Sequence, residues 1–431
     1  MQWGAPWWSV RRFFLKKPLI KKEEWEKISA YYLALAPESL VRPKPLTLDE
    51  NLPLFETRFP NYFLSSPSTT LAHILPKGGF LIGDANTQTL YRFNAGRIMS
   101  SKAQVREGAV SVVSGDDAVL LTVMGAFSPT DAPKGFLLAL PDNPDIPLRV
   151  LIDSLQRPVH SAYADFDGDG LTDVAVCEFG KWTGSLSWWK NKTMGRFERH
   201  ILRAKLGAIR AYVADLNRDS LPDIVALFGQ GDEGIYAYYN QGGGRFREEA
   251  LLRFPASYGS SFFELVDYNG DGHPDIVYTC GDNHDYQPLY KPYHGIYVFE
   301  NDGKNKFRQT QFFHLDGAYC ALARDFDTNG DIDIAAISFF PDFQTHPQSA
   351  FVYLENTGAA DGFKAYTFPQ VNSGRWIVME AGDVDLDGDL DLLLGSLAFE
   401  IVPPNPLLQQ WVKNGIPFMV LDNQKKKSFV R

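Results

Sequence analysis

The sequence predicts an all-β protein: a seven-bladed β-propeller of four-stranded blades, preceded by a short N-terminal helical segment. Two observations carry that prediction. A nine-residue frame, Asp, x, Asp or Asn, x, Asp or Asn, Gly or Ser, x, x, Asp, recurs five times, and its first aspartates, Asp165, Asp215, Asp267, Asp325 and Asp383, lie 50, 52, 58 and 58 residues apart. A period of that length is one supersecondary unit per copy. Between the copies the chain divides into four short runs of Val, Ile, Tyr and Phe broken by Gly, Asn, Asp and Pro, which is the pattern of antiparallel strands. Four strands per unit is the module of a propeller blade.

From the N-terminus, "MQWGAPWWSVRRFF" is aromatic and basic without the apolar core of a signal peptide. No apolar run is long enough to span a membrane. Residues 18 to 45 place Leu19, Trp25, Ile28, Tyr32 and Leu35 on one helical face with charges opposite, which predicts a helix. "PESLVRPKPLTLDENLP" follows as a linker in which proline stops the helix. Residues 1–50 are therefore read as a helical extension and linker, and 51–431 as the propeller, with no further helix expected. Two units lacking the Asp frame come first, from 70 and from 109; their opening turns, "PKGG" and "SGDD", are too poor in ligands for a metal. The five framed units then divide as the third does, into "SFFELVDY", "PDIVYTC", "GIYVFEND" and "KFRQTQFFH". The last unit, ending "FMVLDNQKKKSFVR", lacks a fourth strand, and "LPLFETRFPNYF" (52–63) is expected to supply it. The two ends of the chain would then close the ring and remove the free sheet edges.

The formal charge is -10, yet 17 aspartates occupy ligand-type positions of the five frames, and without them the remainder would carry about +7. The acidity is local. No basic stripe accompanies the aromatics, which leaves a nucleic-acid role unsupported. Cys177, Cys280 and Cys320 form no CxxC and are read as buried thiols.

Carboxylates crowded into nine residues repel one another unless a cation or full hydration offsets them. Asp and Asn are hard oxygen donors suited to calcium, whereas zinc would draw Cys or His. Side chains at positions 1, 3, 5 and 9 and the carbonyl at 7 would converge at about 2.3–2.6 Å from one ion, around a tight turn at position 6. The first frame offers Asp165, Asp167, Asp169, the Leu171 carbonyl and Asp173; the second offers Asp215, Asn217, Asp219, Leu221 and Asp223. The third offers Asp267, Asn269, Asp271, His273 and Asp275, and the fourth Asp325, Asp327, Asn329, Asp331 and Asp333. The fifth offers Asp383, Asp385, Asp387, Asp389 and Asp391. An EF-hand would need glutamate at position 12, where these copies have Val176, Ala226, Tyr278, Ala336 and Leu394. About five structural calcium ions are expected. The second site should be the weakest, because Asn217 replaces a carboxylate and Ser220 stands where the others have glycine, at a steric cost if φ is positive. Such Asp/Asn/Gly loops also form turns without any metal.

Five "DxDxDGxxD"-type loops, each entering an apolar strand, resemble the FG-GAP or VCBS repeat family. That resemblance implies a fold like the seven-bladed propeller of integrin α-subunits, with calcium in the loops. The helix "PLIKKEEWEKISAYYLALAPESL" resembles the tail of a c-type cytochrome segment that precedes the propeller in some bacterial members. Those relatives carry a CxxCH haem attachment; this chain has none, so no haem is expected, and a CxxCH frame upstream of Met1 would favour a longer protein.

In a four-strand blade the Asp loops join strands one and two and gather on one face. Long loops joining strands two and three gather on the other: "FGKWTG" (179–184), "CGDNHDYQPLYKPYHG" (280–295), "FFPDFQTHPQS" (339–349) and "FEIVPPNPLLQQWVKNG" (399–415). Function is expected there. Candidates on that face are Trp182, Arg210, His284, Asp285, Tyr286, Lys291, His294, Tyr319, Arg375 and Trp376, with His160 and Tyr258 beside them. Aromatic rings among Asp, Arg and His suit a sugar, by stacking and by hydrogen bonds to hydroxyls. The same rings also suit packing between blades. The preferred reading is a non-catalytic, extracytoplasmic binding or adhesion module for a glycan or an extracellular or periplasmic protein. An enzyme of polysaccharide lyase or dehydratase type using His284, Tyr286 and Lys291, and a docking domain for a cytochrome c partner, are the alternatives.

Overall fold

The computed structural model describes residues 20–36, 41–106, 108–114, 118–141, 146–193, 195–282, 289–358, 362–398 and 407–425. The chain divides into two compact units, Met1–Arg42 and Pro43–Arg431. In the first, helix α1 (Lys22–Leu35) buries none of its residues. Glu23 and Glu24 lie in its first turn, and the Glu24 carboxylate accepts the Lys21 N–H at 2.7 Å, so acidic groups face the positive end of the helix dipole.

The second unit is seven four-stranded antiparallel sheets. In chain order, blades 1 to 6 are 69–104, 109–155, 158–203, 208–253, 260–314 and 318–366. Blade 7 is 376–423 with Phe55–Arg58 added as its outer strand. That strand pairs Phe55 with Asn423 and Arg58 with Val420, so the expected closure by both ends of the chain is present. Phe55 also sets its ring edge-on to Phe326 and Tyr353, which anchors the closing strand in the core between blades 6 and 7.

Sequence decides the radial order of the strands. Second strands such as Asp223–Phe228 and Asp333–Ser338 are buried at every position, matching their unbroken apolar runs. Outer strands such as Phe246–Arg253, "FREEALLR", keep exposed charges on the solvent side. The first strands pack against one another around the ring and carry a bulge near their start in the blades that begin at Thr69, Ala109, Pro158, Ala208, Ser260, Ala318 and Trp376. The core is correspondingly divided among wedges between neighbouring blades; one joins Phe166, Trp188, Phe228 and Tyr236 of blades 3 and 4. Cys177, Cys280 and Cys320 are free and buried, as their lack of pairing motifs implied.

One expectation is corrected. A second helix, α2 (Leu408–Asn414), lies in the long loop of blade 7. Trp411 is buried on it, donating Nε1–H to the Asn372 carbonyl at 2.9 Å, and Gly415 ends it in the left-handed region at φ +64°. The signal was the Leu407 to Trp411 spacing followed by glycine, hidden inside a stretch read as loop because of its prolines.

Candidate metal centre

Each framed loop is wired in the same way. The position-1 carboxylate accepts N–H groups of the turn: Asp165 Oδ1 takes Gly168 at 2.8 Å and Asp169 at 3.1 Å, and its Oδ2 takes Gly170 at 2.8 Å. Asp215, Asp267, Asp325 and Asp383 each do the same with the position-6 N–H. Position 6 takes φ from +67° at Ser220 to +98° at Gly330, and position 4 from +53° at Thr328 to +79° at Gly168. Glycine suits both, and nothing lies within 4 Å of an added Cβ at Gly168, Gly170, Gly270, Gly272 or Gly330. The cost at Ser220 and Thr328 is therefore one of backbone conformation alone. Ser220→Gly and Thr328→Gly are each expected to stabilise the chain by about 1 kcal/mol in urea unfolding, the left-handed strain outweighing the entropy glycine adds to the unfolded chain. Unchanged midpoints would show that the turn relaxes around the side chain.

Position 9 is different in kind. Asp223 is fully buried; its Oδ2 accepts the Leu216 N–H at 3.0 Å and its Oδ1 the Asn240 N–H at 2.7 Å. Asp173, Asp275 and Asp391 repeat both bonds, to Phe166 and Asn191, Tyr268 and Asn301, and Val384 and Asn423. Asp333 keeps the bond from Asn356, and its other oxygen takes the Tyr353 hydroxyl. The asparagine that ends the third strand of each framed blade is a structural clamp the sequence reading missed. Asn240 also donates from Nδ2 to the Phe166 carbonyl of the preceding blade at 2.8 Å, and Asn423 does so to the Phe326 carbonyl at 3.0 Å. The recurring "YYN", "FEN", "LEN" and "LDN" ahead of each turn was its signal.

The fit to a cation separates the loops. Asp165, Asp167 and Asp173 each bring an oxygen within 4.8 Å of the others, and so do Asp383, Asp385 and Asp391. In these two loops Asp167 Oδ1, Asp385 Oδ1 and Asp389 Oδ1 are shielded from solvent with no hydrogen-bond partner among the described residues. Buried carboxylate oxygens of that kind call for a cation. In the other three, an asparagine amide replaces one: Asn217 Nδ2 donates to Asp219 at 2.8 Å, Asn269 Nδ2 to Asp271 at 3.2 Å and Asn329 Nδ2 to Asp327 at 3.1 Å. Those loops offset part of their own charge.

Neighbouring strands tune the two acidic sites in opposite senses. In the first loop the Lys190 ammonium contacts Asp167 and lies 2.9 Å from Asp169, an internal cation that a metal bound there would have to displace. Lys190→Met is expected to tighten calcium binding there about tenfold, since removing one unit of positive charge beside the site is worth roughly 1.4 kcal/mol at intermediate dielectric. Calorimetric titration giving equal affinities would show that Lys190 leaves freely. At the fifth loop the corresponding residue is Asp422, which adds negative charge and is paired with Arg58 at 2.7 Å.

Burial raises the position-9 carboxyls above their ordinary range, Asp333 to about 6 and Asp391 to about 7, and burial together with Asp387 raises Asp389 to about 7. A carboxyl that holds its proton more tightly when folded adds stability below about pH 4, and that contribution is lost as pH rises through 6 to 7. The metal-free chain is thus expected to melt higher at pH 5 than at pH 7.5, and calcium to remove most of the difference. A chelated chain with the opposite pH dependence would mean that these carboxyls ionise at no cost.

On the opposite face the candidates among the described residues do not converge. His284, Asp285 and Tyr286 lie outside the described residues. Trp376 is fully buried and donates Nε1–H to the Val371 carbonyl at 2.7 Å; it belongs to the core between blades 6 and 7. Arg375 is buried with its guanidinium 3.9 Å from the Phe339 ring centre, and Tyr319 packs on the same ring. His294 is fully buried, and burial lowers its pKa to about 3. Arg210 belongs to the inner ring of strands, its Nε donating to the Tyr212 hydroxyl at 2.7 Å, with His160 nearby against the Ala211 N–H. Lys291 donates to the Ser257 carbonyl at 2.8 Å, beside the stacked Tyr258 and Tyr293 rings. Trp182 remains 50% exposed, on a turn whose 181–183 N–H groups all point at Asp131 Oδ1. The aromatics crowd this end because blade wedges need filling, which residue type alone cannot distinguish from a ligand platform.

Residues 165–226 and 215–278 match the family model described as FG-GAP-like repeat, each match running from one Asp loop through the next. The chain carries FG-GAP-like repeats. Among solved structures, the N-terminal domain of Nup159 is 12% identical over 90% of this chain and 99% of that one, with a TM-score of 0.49. BBS1N in complex with ARL6DN, soaked with mercury, is 9% identical over 86% and 97%, with a TM-score of 0.52, a likeness of fold alone. No curated protein matches the chain in sequence. The FG-GAP-like frame is the one repeated in the loops at 325 and 383, which lie beyond the matched residues.

Proposed function

We propose that this chain is a non-catalytic, calcium-stabilised propeller that works outside the cytoplasm as a binding or adhesion module for glycan or protein ligands. The observation that carries the calcium reading is the pair of three-carboxylate clusters at Asp165/Asp167/Asp173 and Asp383/Asp385/Asp391, with their unpartnered buried oxygens. FG-GAP-like repeats often bind calcium and are typical of extracellular domains, and millimolar calcium there fills even modest sites. Among the described residues no helix is long and apolar enough to cross a membrane. The binding reading is supported by Trp182, a half-exposed ring held on a rigid turn with Lys181 beside it.

Metal content after gel filtration in calcium buffer tests the first part. Two ions per chain are expected to be retained, one lost in Asp167→Asn and the other in Asp385→Asn, with the three asparagine-containing loops filling only at higher calcium. No retained calcium in the unaltered chain would overturn the proposal and the localisation argument with it. For the ligand, a glycan array should give a signal that Trp182→Ala abolishes. A blank array transfers the reading to a protein ligand.

A further inference from the structure

Three inner strands bring together groups that neither the calcium loops nor the core uses. His73 lies on the first strand of blade 1 (Thr69–Ile74), Ser114 ends that of blade 2 (Ala109–Ser114), and Glu380 lies on that of blade 7 (Trp376–Gly382). These blades are neighbours in the ring. His73 Nε2 stands 2.9 Å from Ser114 Oγ, and its Nδ1 stands 3.1 and 3.2 Å from the two Glu380 carboxylate oxygens. An ionised carboxylate only accepts, so Nδ1 carries the proton. Nε2 then presents its lone pair, and the Ser114 hydroxyl donates to it. Glu380 Oε2 also accepts the Ile74 N–H at 3.3 Å, which ties the carboxylate to the strand that carries the imidazole. The His73 side chain is 15% exposed and that of Glu380 33%, and Ser114 is partly exposed, so a small reagent reaches the trio from solvent.

The fold does not ask for these residues. Counted from the bulge of each first strand, the place of His73 is taken by Val113, Ala162 and Leu322 in blades 2, 3 and 6. Blades 5 and 6 join their inner strands by Glu264 and Arg324, 3.1 Å apart, a pair that offers no nucleophile. A serine hydroxyl bonded to a neutral imidazole, which a carboxylate holds in one tautomer, is the arrangement that activates serine for attack on an acyl carbon. We propose that Ser114 is a nucleophilic acyl-acceptor site for carboxylic esters of small acyl groups, with His73 as its general base and Glu380 as a positioning residue. As Ser114 Oγ bonds to the carbonyl carbon, its proton passes to His73 Nε2. The C–O bond to the alcohol then breaks, and the departing alkoxide takes that proton from His73. The acyl group stays on the chain. One such transfer per chain goes beyond the binding reading without resting on it.

The test treats the full chain, in calcium buffer, with an alkyl fluorophosphonate and, separately, with 4-nitrophenyl acetate. In the first, an Oγ–P bond forms, the P–F bond breaks, fluoride leaves and His73 takes the serine proton. Peptide mass spectrometry is expected to place one phosphonyl or acetyl group on Ser114, with about one equivalent of 4-nitrophenolate released. Ser114→Ala should abolish both adducts, and His73→Gln should slow them on the order of a hundredfold. Glu380→Gln keeps an oxygen for the Ile74 N–H; it should leave the melting temperature unchanged yet slow the reaction at least about tenfold, and Glu380→Asp should restore part of the rate. No adduct on Ser114, or labelling at the same rate in His73→Gln, would overturn the proposal and leave the trio as a hydrogen-bonded tie between blades 7, 1 and 2. Nitrophenolate released well beyond one equivalent, and lost in Ser114→Ala, would uphold the serine and overturn the non-catalytic part of the proposed function.

Discussion

Chelating calcium from the full chain is expected to lower its melting temperature by about 7 °C. The figure follows from linkage: a site that binds only the folded chain adds about 2.7 kcal/mol when calcium stands a hundredfold above its dissociation constant. Two such sites add about 5 kcal/mol. A propeller unit running from Pro43 to Arg431 has an unfolding entropy of roughly 0.8 kcal/mol per kelvin, which converts that stabilisation into about 7 °C. Differential scanning calorimetry with and without chelator measures it directly. Asp167→Asn and Asp385→Asn should each remove about half of the shift, whereas Asp215→Ala should leave it nearly intact, because Asn217 already donates into Asp219 in that loop. Identical melting in both buffers would mean that the acidic frames are turns held together by backbone N–H groups alone.

The second large effect is independent of metal. Asp223→Ala is expected to cost about 3 kcal/mol even in chelator, because it strands the buried N–H groups of Leu216 and Asn240. Asp215→Ala, eight residues away in the same frame, exposes N–H groups that water reaches and should cost less than about 1 kcal/mol. Asp223→Asn keeps one acceptor oxygen and should lose roughly half as much as alanine. Urea unfolding of the three variants in chelator separates the cases. If Asp215→Ala and Asp223→Ala proved equal, position 9 would be a metal ligand and nothing more, and the clamp described above would have no energetic meaning.

Much of the architecture was legible because it is written locally. Placed after an Asp loop and bounded by glycine turns at the repeat period, "DIVALF" reads as a strand covered on both faces and "FREEALLR" as one with a wet side. A missing fourth strand at the C-terminus and a spare one at 52–63 implied each other. Helix α2 escaped for the opposite reason: three prolines in "FEIVPPNPLLQQWVKNG" read as loop, while the burial that makes Trp411 a helical anchor comes from the Asn372 carbonyl across the chain.

What the sequence determined by itself was the repeat, the blade count, the oxygen-bearing side chains of the loops and the strained turn of the second loop, for each depends on residues a few positions apart. Ser220 does adopt a positive φ, as its place in the frame required. Only the tertiary structure decided which oxygens are left unsatisfied. Asp167 meets Lys190 from a third strand, and Asp391 feels Asp422. Trp376 and Arg375 went to the core by the same logic. Electrostatics and burial act through space, so residues of one type at equal spacing along the chain become ligands, clamps or packing according to what the folded neighbours bring to them.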